Sequence, residues 1–219
     1  MILSAERLMQ LGEEDDVIGD VLGRRLAKTY SEFRAVVETD LVRVVQRLEE
    51  NPQMHAGKSE DETTQAIVDM LVCMGYTANH NAHRGGNVDI TVEQTRKNFI
   101  WIAEAKIFGD VGDLREGYLQ LASRYRPGMD DAGVFHGGLI AYLRRPGAAG
   151  HMLSWRKHFL TLPIAQGAST EDCKRRLNLG FFSQHLHGDF GLPFRVWHLC
   201  VVLHFKPLDA SGREAAKYA

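Results

Sequence analysis

This sequence predicts an α/β fold with a helical segment in front of it, and three observations lead there. Two strand-length apolar runs, residues 86–92 and 99–106, flank a polar turn at residues 93–98, the pattern of a hairpin. Before and after them lie stretches whose apolar residues recur at helical spacing. A further apolar run, residues 138–143, follows the second of those helical stretches. Strands alternating with amphipathic helices call for a sheet with helices packed on it.

The elements follow in order. Residues 8–48 read as one or two helices, with Val17, Ile18, Val21, Leu22 and Leu26 on one face, then Val36, Val37, Leu41, Val44, Val45 and Leu48. Gly19 and Gly23 soften the first part, and Thr29-Tyr30-Ser31 is a break or a cap. These helices pack on the core, or serve as the contact for a homodimer or a partner protein. Pro52 and Gly57 mark a loop, which divides the chain into a helical segment, 1–57, and a main domain, 58–219. Within the main domain, a core covers about 58–145 and an extension 146–219.

Ser59 is placed to cap a helix over residues 59–74, with Glu62 completing a capping box and Gly75 stopping it. At 100° per residue, Ile67, Leu71 and Met74 lie within about 40° of Glu60, while Glu62 points nearly opposite. Glu60 therefore shares the face that packs on the sheet. Tyr76-Thr77-Ala78 is a short first strand and residues 79–86 a polar loop. His80 and His83 in that loop have no cysteine or third histidine near them and do not read as a zinc site. Gly85-Gly86 gives a tight entry to the next strand. After Gly109 and Gly112, residues 113–125 form a helix with Leu114, Tyr118 and Leu121 on one face, carrying Gln120, and Arg124 and Arg126 follow as candidate phosphate contacts. Residues 155–162 read as a helix and 194–205 as a long strand. His185, His187, His198 and His204 are scattered among aromatics without ligand spacing. The tail, residues 210–219, reads as polar and frayed.

The two hairpin strands carry charges where apolar residues are expected: Asp89 in the first, Glu104 and Lys106 in the second. A buried charge without a partner costs several kcal/mol, so such groups are paired, metal-bound or both. Alternation along a strand puts Glu104 and Lys106 on one face, and antiparallel pairing brings Asp89 beside Glu104. Two carboxylates and a lysine converging at one point suit a hard divalent cation and phosphodiester cleavage. An internal ion-pair network without chemistry is the plainer account of the same residues.

Glu60, Asp89, Glu104-Ala105-Lys106 and Gln120, in this order on helix, strand, strand and helix, resemble the PD-(D/E)XK nuclease superfamily. The likeness spans residues 58–143. One departure is that Asn87-Val88 stands where the motif has a proline before the aspartate. The resemblance implies a restriction-endonuclease-like core with a central mixed sheet. It also implies a metal-dependent nuclease acting on nucleic acid, DNA first, in restriction, repair or phage defence. Asp89, Glu104 and Glu60 would hold Mg²⁺ or Mn²⁺, with Lys106 and Gln120 as the other catalytic residues; no Cys/His set supports Zn²⁺. The alternative is the same fold with a weak or inactive site, binding nucleic acid or a partner protein.

Composition sets the bounds. The chain has 219 residues, 44% hydrophobic and 25% charged, as in an ordinary globular protein. No apolar run approaches the roughly 20 residues that span a bilayer, and the N-terminus lacks the pattern of a secretion signal. Cys73, Cys173 and Cys200 are far apart and odd in number, as expected of reduced thiols in the cytoplasm. A net charge of −2 gives no overall support for nucleic-acid binding. Residues 1–60 carry a balance of −4 and residues 113–219 one of +5, so the C-terminal half is the expected source of phosphate contacts.

Overall fold

A computed structural model describes residues 4–207 and Asp209. The expected frayed tail, residues 210–219, lies outside them. Three helices open the chain: α1 (Ala5–Glu14), α2 (Asp16–Leu26) and α3 (Tyr30–Glu49). The expected one or two helices become three because two side chains end and restart the helix. Asp15 closes α1 and caps α2 through the amide of Ile18, and Thr29 caps α3 through that of Glu32. Then come α4 (Glu60–Cys73), β1 (Thr77–His83), β2 (Asn87–Gln94), β3 (Phe99–Ile107) and α5 (Val111–Ser123). The chain continues through β4 (Gly128–Met129), β5 (Phe135–Leu143), α6 (Ala148–Phe159), β6 (Ser169–Asp172), β7 (Gly180–Leu186) and β8 (Pro193–Val202).

The strands form one mixed sheet in the order β1-β2-β3-β5-β8-β7-β6, with β4 paired to β5 alongside. β1, β2 and β3 run antiparallel to their neighbours, β3, β5 and β8 run parallel, and β7 and β6 return antiparallel. The α/β class is thus as the sequence predicts. One face of the sheet is covered by α3 and α4, which bury Phe33, Val37, Leu41, Ile67 and Leu71 against Trp101, Ala103 and Val201. The other is covered by α5 and α6, where Leu114, Tyr118, Trp155 and Phe159 meet Ile102, Leu139 and Val196. Such two-sided burial suits parallel strands.

Residues read as N-terminal segment and C-terminal extension share this core. Glu49, at the end of α3, accepts from Arg176 at 2.8 Å and from the Val202 amide at 2.8 Å. Arg24 of α2 reaches the buried Asp40 of α3 at 2.7 Å, and Tyr76 donates to the same carboxylate at 2.7 Å. By contrast α2 buries no residue fully, and Val17 is 72% exposed.

Several boundaries differ from the sequence reading. The polar stretch after Ala78 is strand, not loop: β1 continues to His83, paired with β2. It is an edge strand whose outward side chains meet solvent, so polar residues serve. The helix expected at residues 155–162 starts earlier, at Ala148, and β8 ends at Val202 rather than 205. The three cysteines are free thiols, Cys173 and Cys200 buried. Among the described residues no helix is long and apolar enough to cross a membrane.

Candidate active site

The β2–β3 hairpin sets the site. Ile90 pairs with Ala103, and both side chains are fully buried. One step further along this register, Asp89 stands opposite Glu104. Asp89 turns its carboxylate onto the backbone, where Oδ2 accepts from the Ala105 amide at 2.8 Å. Glu104 and Lys106 share a face as alternation requires, and Lys106 Nζ lies 2.8 Å from Glu104 Oε1 and 3.8 Å from Asp89 Oδ2.

The third acid arrives from α4. Ser59 and Glu62 form the capping box, at 3.1 Å and 2.7 Å, which starts the helix at Glu60. With Glu62 committed to the cap, Glu60 faces the sheet end. Its Oε2 accepts from the Ile107 amide at 2.7 Å and its Oε1 from Lys106 at 3.2 Å. Thr64 and Tyr142 hold this first turn from beneath, hydroxyl to hydroxyl at 2.9 Å, with Thr64 also donating to the Glu60 carbonyl. Arg144 grips the same turn through the Lys58 carbonyl.

Helix α5 closes the other side. A Cβ on Gly117 would lie 2.8 Å from Lys106 Cγ and 3.2 Å from Leu139, so only glycine lets the helix lie against the lysine stem. Beyond the end of α5, Tyr125 donates to the Asn87 carbonyl at 2.6 Å and stands beside Glu104, whose charge, after burial, holds the phenol protonated. Gly85, in a left-handed conformation, would clash with the Arg124 carbonyl at 2.4 Å if it carried a Cβ, which fixes the strand entry against α5.

The structure thus brings Glu60, Asp89, Glu104 and Lys106 together. Gln120 is not bonded to them: its Oε1 is buried without a partner, one turn beyond Gly117 on α5. His80 Nδ1 contacts the Asp89 carbonyl at 2.8 Å, while His83 is exposed. Of the C-terminal histidines, His198 sits fully buried between Trp155 Nε1, at 3.0 Å, and Ser183 Oγ, at 2.8 Å, and His185 meets the Tyr118 hydroxyl. These are core contacts.

Sequence reasoning missed Tyr125, Gly117, Thr64, Tyr142 and Arg144. A glycine inside a helix, Gly117, was the one signal in the sequence; where it and the others come to lie depends on which elements become neighbours.

The electrostatics are those of a crowded carboxylate site. Burial, then the charge of Asp89, pushes the Glu104 carboxyl up to about 7 against the pull of Lys106. Burial likewise raises Asp89. Burial alone would lower Lys106, but the hydrogen bond and charge of Glu104, with Asp89 and Glu60, outweigh it and keep the ammonium charged.

The donors are hard carboxylate oxygens, the chemistry that Mg²⁺ and Mn²⁺ take. Glu104, only 2% exposed, keeps Oε2 buried with no well-formed hydrogen bond, the Tyr125 hydroxyl being the neighbour of its carboxylate. Among the described residues no trio of acidic, His or Cys side chains is already closed round a cation-sized point; the Lys106 ammonium is what the acids surround. Comparison with protein-family models, with curated proteins and with solved structures gives no match.

Proposed function

We propose that the protein is a Mg²⁺- or Mn²⁺-dependent nuclease of the PD-(D/E)XK type, with a restriction-endonuclease-like core, that hydrolyses phosphodiester bonds in DNA. The observation that carries this reading is one ammonium, Lys106 Nζ, within 3.8 Å of three carboxylates supplied by a helix start and two adjacent strands. The buried Oε2 of Glu104, which makes no well-formed hydrogen bond, supports a cation there, and Asp89, Glu104 and Glu60 would hold it. Bound there, the cation supplies Lewis-acid activation of water and charge neutralisation at the phosphate.

The chain's own groups do the rest. Lys106, fixed by Gly117 behind its stem and by Glu60 at its tip, presents a permanent positive charge to the phosphate, where negative charge grows in the transition state. The Ala105 and Ile107 amides hold Asp89 and Glu60 in orientation, so the acids need not reorganise. Tyr125 fixes the strand beside Glu104. Gln120 Oε1, buried and unbonded, has acceptor capacity for the attacking water or the substrate.

The closed lysine–carboxylate network also favours a second reading, a catalytically silent module that binds nucleic acid or a partner protein. One experiment separates them. Supercoiled plasmid, single-stranded DNA and RNA are incubated with the protein and Mg²⁺, Mn²⁺ or EDTA, beside Asp89→Ala and Lys106→Ala. Metal-dependent cleavage absent from both folded variants supports the nuclease; no cleavage of any substrate rejects it.

A further inference from the structure

Part of the positive charge of the C-terminal half is taken up in ion pairs. Arg115, Arg156, Arg176 and Arg195 are ion-paired to Glu116, Asp172, Glu49 and Glu171. A separate group of unpaired cations lines a groove of about 710 Å³ at the turn end of the β2–β3 hairpin. Arg25 lines it from the last turn of α2 and Lys28 from the α2–α3 connection, and Arg96 and Lys97 face them from the turn. All four are exposed, and none forms an ion pair among the described residues. The two other charged residues in the groove are neutralised: Glu93 by Arg84 at 2.6 Å, and Arg24 by Asp40 at 2.7 Å. Four unpaired cations around one concavity give it a positive field, which favours a polyanion.

We propose that this groove is a second nucleic-acid contact, holding the phosphodiester backbone of the substrate away from the cleavage site. The concave shape suits a chain-like polyanion. A volume of about 710 Å³ exceeds what a lone phosphate fills. The groove and the acid cluster lie toward opposite ends of the hairpin, Gln94 against Asp89, about 16 Å apart at about 3.3 Å per residue. That separation corresponds to about five nucleotides at about 3.4 Å each. The proposal rests on the nuclease reading for the identity of the polyanion, and it makes the substrate a polynucleotide rather than a short fragment.

The test is binding without cleavage. Fluorescence anisotropy in EDTA compares the full chain with Arg96→Glu/Lys97→Glu, two exposed turn residues, on single- and double-stranded oligonucleotides of about 20 nucleotides and on a tetranucleotide. The variant is expected to bind the long probes at least about tenfold more weakly, with the salt slope reduced by about 1.5 to 2, and to bind the tetranucleotide as wild type does. Hydrolysis of bis(p-nitrophenyl) phosphate with Mn²⁺ is expected to be unchanged in the variant. Equal affinity for long probes, or no binding by wild type at low salt, overturns the groove; so does groove-dependent binding to anionic phosphatidylserine vesicles in place of oligonucleotides. Loss of long-probe binding in a protein that cleaves nothing leaves the groove standing and removes the nuclease.

Discussion

Replacing Glu104 by glutamine should make the metal-free protein more stable, and the size of the gain can be worked from the site. The Glu104 carboxyl is 2% exposed and titrates near 7, against an ordinary value of 4.5. Because the folded protein holds this proton more tightly than the unfolded chain, stability falls as pH rises between these two values and stays reduced above them. At about 1.4 kcal/mol per tenfold change in proton affinity, the charged form costs about 3 kcal/mol near pH 8. That figure already includes the favourable pull of Lys106, which Glu60 and Asp89 continue to hold in the variant. Glutamine keeps the shape and an acceptor for Lys106, so Glu104→Gln should gain about 1 to 3 kcal/mol near pH 8 in EDTA and nothing near pH 4. Urea unfolding at the two pH values measures it. Destabilisation near pH 8 would refute the reasoning and show that the cluster is a structural ion-pair network. A gain in stability with loss of cleavage is what a strained catalytic site gives.

Other expectations follow from the same geometry. Lys106→Met leaves three acids without their cation and should cost about 3 to 5 kcal/mol in EDTA, part of it recovered with Mn²⁺; urea unfolding with and without the metal decides, and an unaffected stability would contradict the central role of the ammonium. Gly117→Ala drives a methyl into the Lys106 stem; it should lower cleavage at least about tenfold while costing about 1 to 3 kcal/mol of stability, and normal kcat would show that lysine placement is not critical. Tyr125→Phe loses the 2.6 Å bond to the Asn87 carbonyl and should cost about 1 kcal/mol, read by thermal unfolding. Mn²⁺ affinity by calorimetry should rise between about pH 6 and about pH 8 as Glu104 loses its proton; a flat profile would remove Glu104 from the ligand set.

What the sequence determined was local. The capping box that frees Glu60 for the sheet, the hairpin that sets Asp89 against Glu104, and the alternation that puts Glu104 and Lys106 on one face each involve neighbours in the chain, whose geometry covalent spacing fixes. Those rules were enough to bring Asp89, Glu104 and Lys106 together; Glu60, 46 residues before Lys106, joins them only because α4 packs on the sheet. They failed where pairing with a distant partner decides conformation. The polar residues 79–83 become strand because β2 offers them a ladder, and the short strands β6 and β7 depend on β8. Gly117, Tyr142 and Arg144 reach the site only because β3 lies parallel to β5 with α5 packed across them. Charge followed the same division. The balance of each half of the chain was visible in the sequence, but only the tertiary structure decided which cations meet carboxylates and which four face an open groove. Ion pairing depends on distances across the fold, and composition carries no distances.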